Sequence, residues 1–206
     1  MARLSRDFYA QDTLEAARRL LGKYLVRRLD GVTLAGRIVE TEAYIGRCDK
    51  ACHAYNYRRT DRTETLFARP GTAYIYLIYG MYHCLNFVTE PEGEPAAVLL
   101  RAIQGAAGTE VMARLRYGDK PMTPHRRKNF LNGPGKVCQA LALTRAENGL
   151  DLTKGDSLFL CDAPEDAGLP PFAAPVKERV RTGPRIGVDY AEEAKDFPWR
   201  FWLEGE

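Results

Sequence analysis

Apolar positions in the first quarter of the chain change period once, from helical to alternating. Leu14, Ala17 and Leu21, with Leu20 at their flank, follow the spacing of an amphipathic helix. Asp12-Thr-Leu-Glu15 offers a capping box at its start, and Gly22 can end it. Lys23 to Leu29 and Thr33 to Tyr44 are β-rich, and the Asp30-Gly31 between them predicts a tight hairpin. After a loop of mixed charge (46–71), the run YIYLIYGMYHCLN (74–86) reads as a second hairpin and Ala96 to Ile103 as a further strand. Residues 105–117 and 134–144 predict helices. Pro134 and Gln139 fit the start of the second, with Val137, Ala140, Leu141 and Leu143 on its apolar side. Asp162 to Pro175 reads as a Pro/Ala-rich surface loop, and Arg179 to Val188 and Trp199 to Leu203 as closing strands. A helical start, a β-rich middle and a mixed end predict one α+β domain over 1–206 rather than a wound parallel sheet.

At 206 residues the chain can bury a sizeable core, and 45% hydrophobic with 28% charged residues is ordinary for a globular protein. The net charge of +3 conceals segregation. Arg114, Arg116, Lys120, Arg126, Arg127 and Lys128 stand against Asp119 alone, and Lys177, Arg179, Arg181 and Arg185 form a second basic run around Glu178. Acidic residues gather at Glu90, Glu92 and Glu94 and near the C-terminus. Such segregation suits a polyanion on one face, and solvated basic loops account for it equally well. An odd number of cysteines (five) and the lack of a charged-then-apolar leader predict a reducing, intracellular setting. Cys48-x3-Cys52-His53 is half a metal site without a second pair, so no metal is expected. The stretch 72–88 holds Gly, His, Asn and four tyrosines, a poor membrane span.

In GRIVETEAYIG, strict alternation places Ile38, Glu40, Glu42 and Tyr44 on one face. A solvent-facing strand with two glutamates is the commoner case. The alternative is a cavity, favoured by Tyr44, His53, Tyr74 and Tyr76 at strand ends and in the adjoining loop. Rings around one carboxylate suit a flat, electron-poor ligand. The second hairpin turns through Tyr79-Gly80-Met81-Tyr82, an apolar tip where polar residues are usual. Apolar wedges of this kind unstack DNA from the minor groove. Basic loops, a wedge and an aromatic pocket with a carboxylate are the parts needed to act on a base inside a duplex.

These residues resemble the alkyladenine (3-methyladenine, N-methylpurine) DNA glycosylases. The resemblance is carried by GRIVETEAYIG, His53 with its Arg-rich loop, RPGTAYIYLIYGMYHCLN, AVLLRAI, GPGKVCQAL and GPRIGV…PWRF, spread from about residue 3 to residue 203. It implies a curved, partly open antiparallel β core, barrel-like, with short helices around it and a protruding β-hairpin. It implies that Glu42 is the general base activating the water that attacks the sugar C1′, that Arg101 helps hold the water, and that the Val188 carbonyl is a third partner. Tyr44, His53 and Tyr76 match residues that sandwich the flipped base. Tyr79 matches the intercalating tyrosine, with Met81 and Tyr82 beside it in the minor groove. Asn86 matches the asparagine that crowds the 2-amino group of guanine. Arg58, Thr60, Arg62 and Lys136 match DNA-backbone contacts.

Three departures bear on substrate range and affinity: Leu66 for a pocket-rim methionine, Glu64 in the loop that meets phosphate, and His83 for a bulky aromatic. An alkylated purine is a cationic leaving group, so one carboxylate suffices where O-glycoside hydrolases need two. No lysine stands out as a Schiff-base nucleophile. The expectation is a monomeric, monofunctional hydrolase without lyase activity or cofactor. Its partner is double-stranded DNA carrying damaged purines (3-methyladenine, 7-methylguanine, hypoxanthine, ethenoadenine), in the cytoplasm or nucleoid of a bacterium or the nucleus of a eukaryote. Two rivals are a non-catalytic nucleic-acid-binding module using stacked aromatics, which leaves Glu42 unexplained, and an O-glycoside hydrolase, which needs an acid opposite Glu42 rather than Glu40 beside it.

Overall fold

The computed structural model describes residues 2–173 and 177–205. Two short helices, α1 (Arg6–Tyr9) and α2 (Thr13–Leu20), precede β1 (Tyr24–Leu29) and β2 (Val32–Ile45). β3 (Ala73–Ile78), β4 (Tyr82–Val88) and β5 (Ala96–Ala107) follow, then α3 (Thr109–Tyr117), α4 (Pro124–Lys128) and α5 (Pro134–Ala140). β6 (Leu158–Cys161), β7 (Glu178–Gly183) and β8 (Arg200–Gly205) complete the sheet. The order is β3-β4-β5-β2-β1-β6, with β8 pairing both β2 and β7; every pairing is antiparallel. The sheet is open, and the α+β class and antiparallel core match the expectation. Among the described residues no helix is long and apolar enough to cross a membrane.

Both hairpins form where the sequence places them. Asp30 (φ 46°) and Gly31 (φ 80°) turn β1 into β2, and Tyr79 (φ 53°) and Gly80 (φ 68°) turn β3 into β4. The Asp12 carboxylate caps α2 by accepting from the Leu14 and Glu15 amides (3.0 and 3.1 Å). The buried face of α2 is Thr13, Ala16, Ala17 and Leu20, rotated from the expected stripe, which leaves Leu14 and Leu21 only partly buried. Thr13 turns inward because its hydroxyl donates to Glu90 (2.6 Å) beside Thr89, and the alanines let α2 approach β2, where the Thr41 hydroxyl donates to the Ala17 carbonyl (2.9 Å).

Three expected boundaries move. β5 continues through 105–107, because Gly105 and Ala107 pair with Gly36 and Ala35, and α3 starts only after Gly108. α5 ends at Ala140, since Ala142 is left-handed (φ 48°) and the Leu143 amide returns to the Cys138 carbonyl. β7 ends at Gly183, so 184–188 leave the sheet instead of extending it. The loop from Asp162 is anchored by a short helical turn, Pro164–Ala167, whose two end residues are buried; its residues 174 and 175 lie outside the described residues.

The pairing of β2 with β5 slips three times, once between Ala35 and Gly36 and twice around Glu40. Ile38 faces Ile103, Glu40 faces Ala102 and Thr41 faces Leu100, so Val39 on one strand and Arg101 on the other are each an extra residue. A bulge inverts the alternation beyond it. Ile38 and Ile103 therefore join the main core with Ala43, Val98, Leu100, Leu85 and Phe87, beneath α2, α3 and α5. Ile38 does not share the face of Glu42, as strict alternation predicts. The opposite face carries Glu42, Leu99 and Arg101.

Gly108 is the pivot from β5 to α3. Its φ is +67°, and a Cβ there would lie 2.6 Å from Leu34 Cδ2 and 2.8 Å from the Thr33 carbonyl oxygen. Gly108→Ala should destabilise the fold by about 1–3 kcal/mol. A urea-unfolding midpoint equal to that of the parent protein would show that the pivot is not strained.

Candidate active site

The strand register sets one row of side chains across the sheet: Tyr74, Asn86, Leu99, Glu42 and Arg200, from β3, β4, β5, β2 and β8. Glu42 and Asn86 are thus two strand spacings apart, roughly 10 Å, on one face. Over the Tyr74, Asn86 and Leu99 end of this row opens a cleft of about 820 Å³, walled by Tyr44, His53, Tyr76 and Leu66 and floored by Asn86, Leu99 and Arg101; Glu42 lies behind that lining. That volume suits a drug-sized or nucleobase-sized ligand.

Glu42 is completely buried and accepts three hydrogen bonds. The Tyr44 hydroxyl and Arg101 Nη1 donate to Oε2 (2.8 and 3.2 Å), and the Ile186 backbone amide donates to Oε1 (2.8 Å). Two carboxylate oxygens offer about four lone-pair sites, so roughly one remains for a further donor. Arg101 stands two residues along β5 from Leu99, the strand partner of Glu42, and its Nε also donates to Glu40 (3.1 Å), which accepts from Arg200 as well. Burial works against the Arg101 charge, but the Glu42 and Glu40 carboxylates outweigh it and hold its pKa above the usual value. Burial, and then the Glu42 charge, push the Tyr44 hydroxyl well above its ordinary range, so it stays a donor.

The ring walls are neutral. His53 meets Tyr76 edge-to-face at 4.6 Å, and Tyr74 lies 5.4 Å from Tyr76. Arg62 reaches inward: its Nη2 is 3.4 Å from His53 Nε2 and its guanidinium 5.2 Å above the Tyr76 ring. A guanidinium only donates, so Nε2 accepts and the imidazole proton sits on Nδ1, 3.1 Å from the Tyr74 hydroxyl. Burial, helped by the Arg62 charge, lowers the His53 pKa to about 4. The Asn86 amide donates to the Tyr74 and Cys84 carbonyl oxygens (3.1 and 3.3 Å), which fixes its orientation.

The hairpin tip projects into solvent: Tyr79 is 79% exposed and Met81 64%. Tyr79 and Tyr82 edge the cleft, and Tyr82 packs on Gly135 so closely that a Cβ there would stand 3.0 Å away. Lys136, at the same rim, donates to Asn129 and Asn132 (3.1 and 2.8 Å), and Val188 lines the opposite side. Arg58 and Thr60 are exposed outside the cleft, Thr60 in a turn with Thr63. Glu64 pairs with Arg59 (2.6 Å), so the loop's acidic departure is neutralised locally.

Local reading misses three groups. The Ile186 amide has no sequence signature. Asp49 and Arg185 form a buried pair, so Arg185 is not part of an exposed basic face, and Arg116 is likewise tied to the Asn129 carbonyl (2.7 Å). Arg114, Lys120, Arg127 and Lys128 do face solvent. Among the described residues no three His, Cys, Asp or Glu side chains converge as metal ligands.

A family model described as methylpurine-DNA glycosylase matches residues 7–206. A protein of Clostridium perfringens (strain SM101), described as a candidate 3-methyladenine DNA glycosylase, is 49% identical over 204 residues, covering 98% of this chain and 96% of that protein. A protein of Bacillus cytotoxicus with the same description is 51% identical over 197 residues, covering 96% and 94%.

The cleft geometry fixes how His53 titrates. Its ring should change charge near pH 4 in the folded protein against about 6.5 unfolded, so this residue's stability contribution is complete above pH 6.5 and is lost as pH falls toward 4. Arg62→Ala should raise the His53 midpoint part of the way back, since burial, the larger cause, is kept. An NMR titration of the imidazole carbons reads both, and an unchanged midpoint in Arg62→Ala would remove the guanidinium from the cleft.

Proposed function

Since the chain belongs to the methylpurine-DNA glycosylase family and is thus an N-glycosyl hydrolase of DNA repair, we propose that Glu42 activates the water that releases the flipped purine. The observation that carries this reading is the full burial of Glu42 behind the cleft residues Tyr44, Leu99 and Arg101, with three donors on its oxygens. A carboxylate so placed has no structural task that an apolar residue would not perform better.

In this reading a water occupies the remaining lone-pair site, between Arg101 and the Val188 carbonyl. As the water oxygen bonds to C1′, Glu42 takes its proton. The C1′–N bond breaks and its electron pair passes to the purine, neutralising the positive charge of a base alkylated at N3 or N7. The sugar passes through an oxocarbenium-like state, which the Glu42 charge stabilises. Tyr44 keeps its proton and holds the carboxylate in place throughout.

Tyr44, His53 and Tyr76 receive the extruded base. Because His53 is uncharged at neutral pH, it does not repel a cationic purine. Arg62 withdraws toward the DNA backbone with Arg58, Thr60 and Lys136, and Tyr79, flanked by Met81 and Tyr82, fills the gap left in the duplex. Asn86, locked by its two backbone bonds, cannot rotate away from a guanine 2-amino group and so excludes undamaged guanine. The substrates are 3-methyladenine, 7-methylguanine, hypoxanthine and ethenoadenine, taken from double-stranded DNA by a monomer; hypoxanthine and ethenoadenine carry no charge and must gain a proton from solvent as the C1′–N bond breaks. The amine of Lys136 is directed at two carboxamide oxygens, consistent with hydrolysis rather than Schiff-base formation.

Glu42→Gln should lower base release from a hypoxanthine or ethenoadenine duplex by about 10²–10⁴-fold while lesion binding persists. The abasic strand made by the parent protein should stay intact. Excision by the mutant at the parent rate would remove Glu42 from the mechanism. Asn86→Ser should raise release of 7-methylguanine relative to hypoxanthine, compared at equal folded fraction. A fall of both together would mean that Asn86 only braces the hairpin.

A further inference from the structure

Arg185 and Asp49 are fully buried, and neither lines the cleft. Their pairing is two-pronged: Nη1 to Oδ2 at 2.5 Å and Nη2 to Oδ1 at 2.7 Å. The same guanidinium donates to the Ala43 carbonyl on β2 (2.8 Å) and to the Ala194 carbonyl (3.0 Å), and lies between the rings of Tyr44 (4.7 Å) and Trp199 (5.1 Å). Asp49 also accepts from the Ala51 amide (2.9 Å). One side chain thus joins β2, the loop after it, the turn around Ala194 and the approach to β8. The next residue, Ile186, gives Glu42 its backbone donor, and Val188 packs with Ala51, Ala191 and Ala194 in one small buried cluster.

Such a pair is a poor way to gain stability. Removing two charges from water costs about as much as their attraction returns, and apolar replacements of equal volume are often as stable. What bidentate geometry gives is position and angle. The segment 184–188 lies outside the sheet, so no ladder of strand hydrogen bonds fixes it against β2. We propose that the Asp49–Arg185 pair is a positioning device for the reaction. It sets the 184–188 segment so that the Ile186 amide meets Glu42 and the Val188 carbonyl faces the attacking water, and it backs the Tyr44 ring so that its hydroxyl stays on Glu42. This rests on the reading of Glu42 as the base. Neither residue touches substrate.

The test uses the full chain in single-turnover base release from a hypoxanthine duplex, at saturating enzyme, beside equilibrium binding to the same duplex. The Asp49→Leu/Arg185→Met double variant replaces the pair by apolar groups, and Arg185→Lys keeps the charge but loses the fork. With rates corrected for folded fraction by near-UV circular dichroism, the double variant should lose at least tenfold in rate while its dissociation constant changes less than threefold. Arg185→Lys should fall between it and the parent. A corrected rate within twofold of the parent in either variant would overturn the proposal and leave the pair a purely structural brace. Loss of rate and of binding in equal proportion in the variant that folds would overturn it as well, because it would mean general damage to the cleft. The parent protein is the control for the underlying reading: if it releases no base from any lesion duplex, the glycosylase mechanism itself fails, whatever the differences among the variants.

Discussion

A fully buried carboxylate governs the arrangement of this protein. Leaving Glu42 uncompensated would cost several kcal/mol, comparable with the whole stability of a domain of this size. Its three donors come from places 2, 59 and 144 residues away in sequence. Tyr44 is the next side chain on the same face of β2. Arg101 stands two residues along β5 from Leu99, the strand partner of Glu42. The Ile186 amide arrives because the chain leaves the sheet after Gly183. Donors from a neighbouring position, a paired strand and a segment outside the sheet thus meet on one buried charge.

How much of this is legible in the chain alone depends on how local the cause is. The two hairpins and the start of α2 are set by residues in contact with one another along the sequence, Asp30 with Gly31, Tyr79 with Gly80, Asp12 with its own amides, and they lie where expected. Simple alternation is enough to put Glu42 and Tyr44 together. It misplaces Ile38, because the bulge at Val39 arises from pairing with a strand more than sixty residues on. The 105–107 segment reads as helix because Gly-Ala-Ala carries nothing larger than a methyl group to mark a face. Arg185 reads as surface because its run of basic neighbours is exposed, while its partner Asp49 lies 136 residues earlier.

Along the aromatic wall of the cleft, positive charge sits on the outer sides of the rings. Arg62 rests on Tyr76 from outside, Arg185 on Tyr44 from behind, and His53 is held uncharged between its neighbours. The Asp49 carboxylate balances Arg185, so of these two arginines only Arg62 presents an unneutralised charge to an entering base. An arginine on a flexible stem, stacked over a ring and exposed along its length, is easily exchanged for another flat group. The wall is therefore preformed, and its outermost layer is replaceable.

The two extra residues at Val39 and Arg101 also have a meaning for how this chain can change. Each inverts the alternation of its own strand, and they lie almost opposite one another, so the two inversions stay in step. Side chains along β2 and β5 can be exchanged singly, as on any sheet. Losing Val39 would restore simple alternation in β2 and leave Ile38 and Glu42 on opposite faces, as they are now. Losing the position at Arg101 would likewise keep Ile103 in the core, but it would remove the guanidinium on Glu42. The two extra residues are thus unequal: one can be lost as length alone, the other only together with a donor to the buried charge.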